Sequence, residues 1–441
     1  MGTESSLRPR GGGLSNIFKN LAWLVGGKGF AAVCSLVYLA VLARSLGLKD
    51  FGHFSLIFGT GQALVAVAGF QTWQTMVRFG AVAVHENDWP RFGRLAFLCG
   101  AIDISGAIAG SVAAYIIYYG FGGALDLNER YIDMAFAFNC AMLWGRMTTP
   151  NGIVRVLGRF DVGSYVEALV PALRLIASFA ILMTGASVGK FLFAWAAIDL
   201  LTNVAYWLAA RNLVPEALAA RNFGQWRRTA QENEGVVSFF GITYASTTLD
   251  ALAKQGPLLA VGYFFGTSAA GVYRLADQLA QSVGKFAQLI TRAVFPEFVN
   301  ARMSVTTADF HRLFRQVTLI AGLGGLLVTA VAWLFGGLLL ELVGGEAFAA
   351  GAPILLAVAI AASFELAAVT YEPMFYATGH PVYPLIVRAL ALAVLLALIV
   401  AVSGQTPAAV GWSVTVAQAL GYVLMSATAW MVMRRMIARE V

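Results

Sequence analysis

Long apolar runs separated by short polar breaks recur along the chain, and their length decides what they are. A helix needs about 20 apolar residues to cross a hydrocarbon layer ~30 Å thick. Twelve such helices are predicted, over 17–43, 52–77, 95–119, 131–153, 162–184, 188–210, 236–264, 271–292, 316–340, 350–376, 382–402 and 409–433. The predicted fold class is all-α, a polytopic membrane protein of about 12 transmembrane helices.

An even number of crossings puts both termini on one side, and the basic residues outside or at the ends of the spans say which. Nineteen Lys and Arg fall on the side of the termini and four, Arg44, Lys49, Arg130 and Lys190, on the other. The excess of basic residues marks the cytoplasmic side, so both termini are expected in the cytoplasm. Composition agrees: 59% of residues are apolar and 12% charged, against ~45–50% and ~25% in soluble domains. Mean hydropathy is +0.73. The net charge of +7 is then a topological signal and not a sign of nucleic acid. The opening span lacks the short core and small-residue cleavage site of a signal peptide and is expected to be retained.

Catalytic signatures are missing from the sequence. Cys34, Cys99 and Cys140 lie singly in apolar runs, without redox or metal spacing. His53, His85, His311 and His380 are scattered, and no zinc-protease, nucleophile-elbow, P-loop or dinucleotide spacing occurs. No enzyme, cofactor or metal is expected. The longest outer connection, about Gly120 to Arg130, leaves no room for an outer catalytic domain of the kind used by membrane-embedded sugar ligases and polymerases.

The polar stretch around Arg221 to Glu234 divides the spans six and six. The expected organisation is a cytoplasmic tail (1–16), a six-helix bundle (17–211), a cytoplasmic linker (212–235), a second six-helix bundle (236–433) and a tail (434–441). After the first span the chain carries Gly47 and Gly52, and after the seventh Gly266 and Gly271, two glycines at the same separation in each case. The same offset of about 220 residues carries Leu157-Gly158-Arg159 onto Thr378-Gly379-His380. Six crossings return the chain to its starting side, so the halves are related by a pseudo-two-fold axis along the membrane normal.

The stretch LARSLGLKDFGHFSL, its echo GTSAAGVYRLADQLA and the run AVFPEF ending at Phe298 resemble the polysaccharide-transport branch of the multidrug/oligosaccharidyl-lipid/polysaccharide (MOP) exporter superfamily, which includes Wzx-type flippases. The resemblance implies a MOP/MATE-like scaffold that flips a lipid-linked sugar of the undecaprenyl-pyrophosphate type by alternating access, from the inner to the outer leaflet. A polysaccharide polymerase and glycosyltransferases are the protein partners it implies.

Ionisable groups in mid-span cost roughly 2.5–3.5 kcal/mol on a translocon scale and so face a partner or a wet cavity. Lys285 and Arg388 lie near cytoplasmic ends and Arg274 near an outer end, where each can reach an interface, and Asp277 follows Arg274 at pairing distance. Lys28, Arg146, Arg174 and Lys254 lie deeper. They are the candidate cationic lining for a lipid pyrophosphate, although Asp250 one turn before Lys254 offers a purely structural pair. Glu167 and Glu372 are also embedded, while Asp103, Asp199, Asp250 and Glu365 are the candidates for coupling to H+ or Na+. Gly29, Gly256 and Pro257 adjoin basic residues in the opening helix of each half and are candidate hinges. A cation-coupled multidrug exporter on the same scaffold is the alternative, favoured if the acids line the cavity. A membrane enzyme or non-transporting scaffold of polysaccharide assembly is the third class, and the short outer loops and missing catalytic spacings weigh against it.

Overall fold

The computed structural model describes the backbone of residues 13–219, 222, 228–304, 307–377 and 382–440. Side chains of 13–29, 122, 124, 160–161, 164, 167, 283–317, 320, 373, 376–377 and 435–440 lie outside that description. The described residues form helices and turns with no strand, as expected where every backbone donor must be satisfied within its own segment. In order the helices are α1 (Gly13–Ala68), α2 (Trp73–His85), α3 (Trp89–Tyr115), α4 (Ile132–Gly145), α5 (Thr149–Val156), α6 (Phe160–Met183) and α7 (Val188–Leu213). There follow α8 (Thr229–Glu232), α9 (Val236–Ser304), α10 (Thr307–Gly344), α11 (Ala352–Ala367), α12 (Tyr371–Ala377), α13 (Val382–Ala401) and α14 (Pro407–Glu440).

Among the described residues eight helices are long and apolar enough to cross a membrane. Two of them, Phe30–His85 and Val236–Ser282, run 56 and 47 residues, enough for two crossings each. With the shorter apolar helix Ala168–Met183 and the α4–α5 pair, the arrangement is consistent with twelve crossings.

Three predicted spans are interrupted. Span 52–77 breaks at residues 69–72, where Phe70 and Gln71 adopt positive φ (42° and 47°). Span 131–153 breaks at 146–148, ahead of Pro150 in the first turn of α5, the position proline tolerates best. Span 350–376 becomes a 3-10 turn at Glu346–Gly351 followed by α11 and α12, with a break at 368–370. Conversely, the connection expected over 293–315 is mostly helical backbone, since α9 runs to Ser304 and α10 starts at Thr307.

The glycine pairs read from the sequence mark the place where α1 and α9 bend and cross. Gly47 (φ 72°, ψ 176°) and Gly266 (φ 84°, ψ 177°) are the non-helical residues inside the two long helices, in a region of backbone space that a side chain excludes. The second glycine of each pair makes the crossing close. A Cβ on Gly52 would lie 1.9 Å from the Thr267 carbonyl oxygen, and one on Gly271 would lie 3.0 Å from the Leu48 carbonyl oxygen. Leu48 and Thr267 share the offset that relates Gly52 to Gly271, so the contact is reciprocal and has local two-fold character. Beyond it, α1 packs on α6, α4 on α7 and α2 on α5, while α10 packs on α11 and α14 on both α11 and α13. α1 is tied to α10 by Arg44, whose guanidinium donates to the carbonyls of Glu341 and Leu342 at 3.3 and 2.6 Å.

Candidate functional site

Two sites of opposite charge emerge from this packing. The first surrounds Phe58, a buried residue of α1. Arg146 lies at the C-terminal end of α4, Arg174 in mid-α6 and Arg274 one turn beyond the Gly271 contact in α9. Their guanidinium carbons stand 5.8, 5.8 and 5.5 Å from the Phe58 ring centroid, within the ~6 Å over which a cation feels an aromatic face. A single carboxylate serves two of them. Asp199 of α7 accepts from Arg146 Nε at 3.0 Å and from Arg174 Nη2 at 2.7 Å. Arg146 also donates to Gln62 at 2.9 Å, and Arg174 lies 5.4 Å from the Trp195 ring centroid. Arg174 and Asp199 are 7% and 5% exposed and Arg146 is half-buried, and the triad carries one positive charge in excess. Arg274 makes no hydrogen bond or ion pair among the described residues and raises the excess to two. The adjoining space, lined in part by Tyr38, Ser55, Trp195, Arg274 and Gln278, is small, about 30 Å³.

The second site is a cavity of about 660 Å³ among α9, α11, α13 and α14, within the ~300–1,000 Å³ usual for small-molecule sites. Four carboxylates line it, Asp250, Asp277, Glu365 and Glu372, with two cations, Lys254 and Arg388. Arg388 joins Asp250 at 3.2 Å and Glu372 at 2.9 Å. Asp277 accepts from Gln281 at 2.7 Å. Lys254 and Glu365 make no ion pair or hydrogen bond among the described residues.

The residues singled out in the sequence are thereby sorted. Arg146 and Arg174 come together, whereas Lys254 lies apart from them in the acid-lined cavity. Asp250 turns to Arg388 and not to Lys254 one turn along. Arg274 and Asp277 do not pair within 4 Å: Arg274 faces Phe58 and Asp277 faces the cavity. Asp103 accepts from the backbone amides of Thr148 and Thr149 at 2.9 and 2.8 Å and from the hydroxyls of Thr72 and Thr149, each at 2.8 Å. It therefore caps the first turn of α5 from the neighbouring helix. α9 runs through Gly256 and Pro257 without a break; its bend lies at Gly266. Lys28, Gly29 and Glu167 lie outside the described side chains. The described residues hold no cluster of His, Cys, Asp and Glu able to bind a metal.

Arg274, Arg388 and Phe58 are the site residues that sequence reasoning passed over. A signal for Arg274 was present: Gly271, Arg274 and Gln278 fall on one helical face, and the Gly271 end of that face touches α1. Nothing in the local sequence marks Arg388, whose partners are 138 and 16 residues away.

Comparison with known proteins supplies a family. The family model described as a polysaccharide biosynthesis protein matches residues 17–302. The inner membrane protein YghQ of Escherichia coli (strain K12) is 26% identical over 341 residues, which is 76% of this chain and 94% of YghQ. Among solved structures, an inward-facing multidrug resistance MATE family transporter of the MOP superfamily superposes with TM-score 0.72 at 15% identity, over 90% of this chain and 95% of its own. The lipid II flippase MurJ, in an inward closed conformation, gives TM-score 0.71 at 10% identity, over 91% of this chain and 86% of its own.

Proposed function

The chain belongs to the polysaccharide biosynthesis protein family and shares the fold of a MOP-superfamily transporter, and from these we propose that it is a flippase for a lipid-linked oligosaccharide of the undecaprenyl-pyrophosphate type. It moves its substrate from the inner to the outer leaflet of the bacterial inner membrane by alternating access, with both termini in the cytoplasm. The observation that carries the proposal is the set of three guanidiniums around Phe58 with one carboxylate among them.

A pyrophosphate must leave its hydration shell to cross an apolar barrier. Arginine replaces that shell with paired, charge-assisted donors in a fixed plane. Arg274 reaches Phe58 across the α1–α9 crossing, so the three cations stay together only while the two halves keep this arrangement. Rearrangement of the halves opens the cluster to the phosphates on one side and closes it on the other. The resident Asp199 is shared by two of the cations and offsets one of their charges while no substrate is bound. The likeness in fold to a lipid II flippase supports the same reading.

One observation favours a second reading, a cation-coupled multidrug exporter: the larger cavity carries more acid than base. Coupling to H+ or Na+ falls in either case to Glu365, because Asp103 caps α5 and Asp199 and Asp250 are ion-paired. Reconstituted vesicles separate the readings. Wild-type protein is expected to flip a fluorescent polyprenyl-pyrophosphate sugar and to leave an organic cation untransported; the opposite pattern would make it a drug exporter.

A further inference from the structure

The acid-lined cavity is the larger of the two spaces described above, and the cationic cluster leaves it without a role. Its lining combines groups that serve sugars well. Carboxylates and the amides of Gln281 and Gln418 accept and donate to hydroxyls, and the rings of Tyr273 and Tyr422 offer apolar faces with a polar edge. Tyr273 is 2% exposed, lines the cavity, and its hydroxyl has no hydrogen-bond partner among the described residues. That phenol can donate to a sugar hydroxyl in the cavity.

The charges add selectivity. Arg388 is shared by Asp250 and Glu372, which leaves one negative charge there, and Asp277 and Glu365 against Lys254 leave another. The formal balance of the whole lining, four acids and two bases, is −2. The segment of α9 after Gly271 forms the wall between the two sites, with Arg274 and Gln278 toward Phe58 and Tyr273, Asp277 and Gln281 toward the cavity.

We propose that this cavity receives the sugar headgroup of the lipid-linked substrate, and that Asp277 and Glu365 select a neutral or amine-bearing sugar over one that carries a carboxylate. The inference rests on the flippase reading and deepens it. Phosphate recognition and sugar recognition are divided between the faces of one helix, and the two sites have opposite charge because the two parts of the substrate do. A carboxylate on the sugar meets repulsion from Asp277 and Glu365; a protonated amine meets attraction from both.

The test uses full-length protein in vesicles with three polyprenyl-pyrophosphate lipids that differ only in the sugar: an N-acetylhexosamine, a hexosamine with a free amine, and a hexuronic acid. The wild type is expected to flip the first two and to flip the uronate at least about tenfold more slowly. Asp277→Asn and Glu365→Gln narrow that ratio, and Lys254→Gln widens it. Because the readout is a ratio between substrates on one protein, a variant of low overall yield still reports, and the wild-type ratio alone decides if a variant does not fold. Equal flipping of uronate and N-acetyl lipids overturns the inference and leaves the flippase reading in place, as does a preference that none of the variants alters. A wild type that flips no pyrophosphate-linked lipid overturns both.

Discussion

Replacing Asp199 with asparagine probes the cationic cluster at its one acidic member. Two guanidiniums now share the carboxylate at 2.7 and 3.0 Å, with side chains of Arg174 and Asp199 only 8% and 6% exposed. Asparagine keeps the volume and one acceptor oxygen but removes the charge, so the group goes from one excess positive charge to two, and to three with Arg274. Removing one partner of a buried ion pair costs about 3–5 kcal/mol, because the remaining charge is left without compensation. The cost is expected at the upper end, since two cations lose their counter-charge together. Thermal unfolding in detergent should show a clear fall in Tm for Asp199→Asn. Inorganic pyrophosphate should restore part of it, since a ligand at about 100 times its Kd returns ~2.7 kcal/mol, and should stabilise the wild type less because Asp199 already occupies two of the three cations. A variant that melts with the wild type and ignores pyrophosphate would refute the assignment of Asp199 as counter-charge to the pair.

Further outcomes follow from the same geometry. Gly52→Ala places a Cβ 1.9 Å from the Thr267 carbonyl, so the crossing helices must part by about 1.5 Å to reach ordinary contact near 3.5 Å. A cost of about 1–3 kcal/mol or more is expected in the melt, whereas Gly256→Ala, whose Cβ meets nothing within 4 Å, should be nearly silent; equal effects would argue against the close crossing. Asp103→Ala strips the first turn of α5 of its acceptor and should cost about 1–2 kcal/mol. Asp103→Asn should be milder and should leave any dependence of transport on an ion gradient unchanged; loss of that dependence would make Asp103 a coupling site after all.

The sequence carried the scaffold well because the bilayer imposes a simple rule on length and apolarity. The repeat was legible as well: Gly47, Gly52, Gly266 and Gly271 stand out by spacing, and the bends and the crossing fall on them. The helix breaks were harder to read. Phe70 and Gln71 take left-handed conformations with no local sequence requirement, and only Pro150 hinted at the start of α5. The sites were half legible. Depth in a span identified Arg146 and Arg174, but pairing was sought at helical spacing along one helix. Their shared partner, Asp199, lies 53 residues beyond Arg146 and 25 beyond Arg174. Helical spacing likewise suggests Asp250 with Lys254 and Asp277 with Arg274, two pairs that tertiary packing separates. Proximity to a span end also set Arg274 aside, although the helix face it shares with Gly271 turns it inward.

In the proposed mechanism the three arginines around Phe58 carry the pyrophosphate across the membrane. Its most direct test is the rate of flipping of a polyprenyl-pyrophosphate sugar in vesicles containing wild-type protein or Arg146→Gln, Arg174→Gln and Arg274→Gln, singly and together, each at matched reconstitution. Flipping by the wild type, a marked loss in each single variant and none in the triple variant are expected. Unaltered flipping in the triple variant would contradict the account.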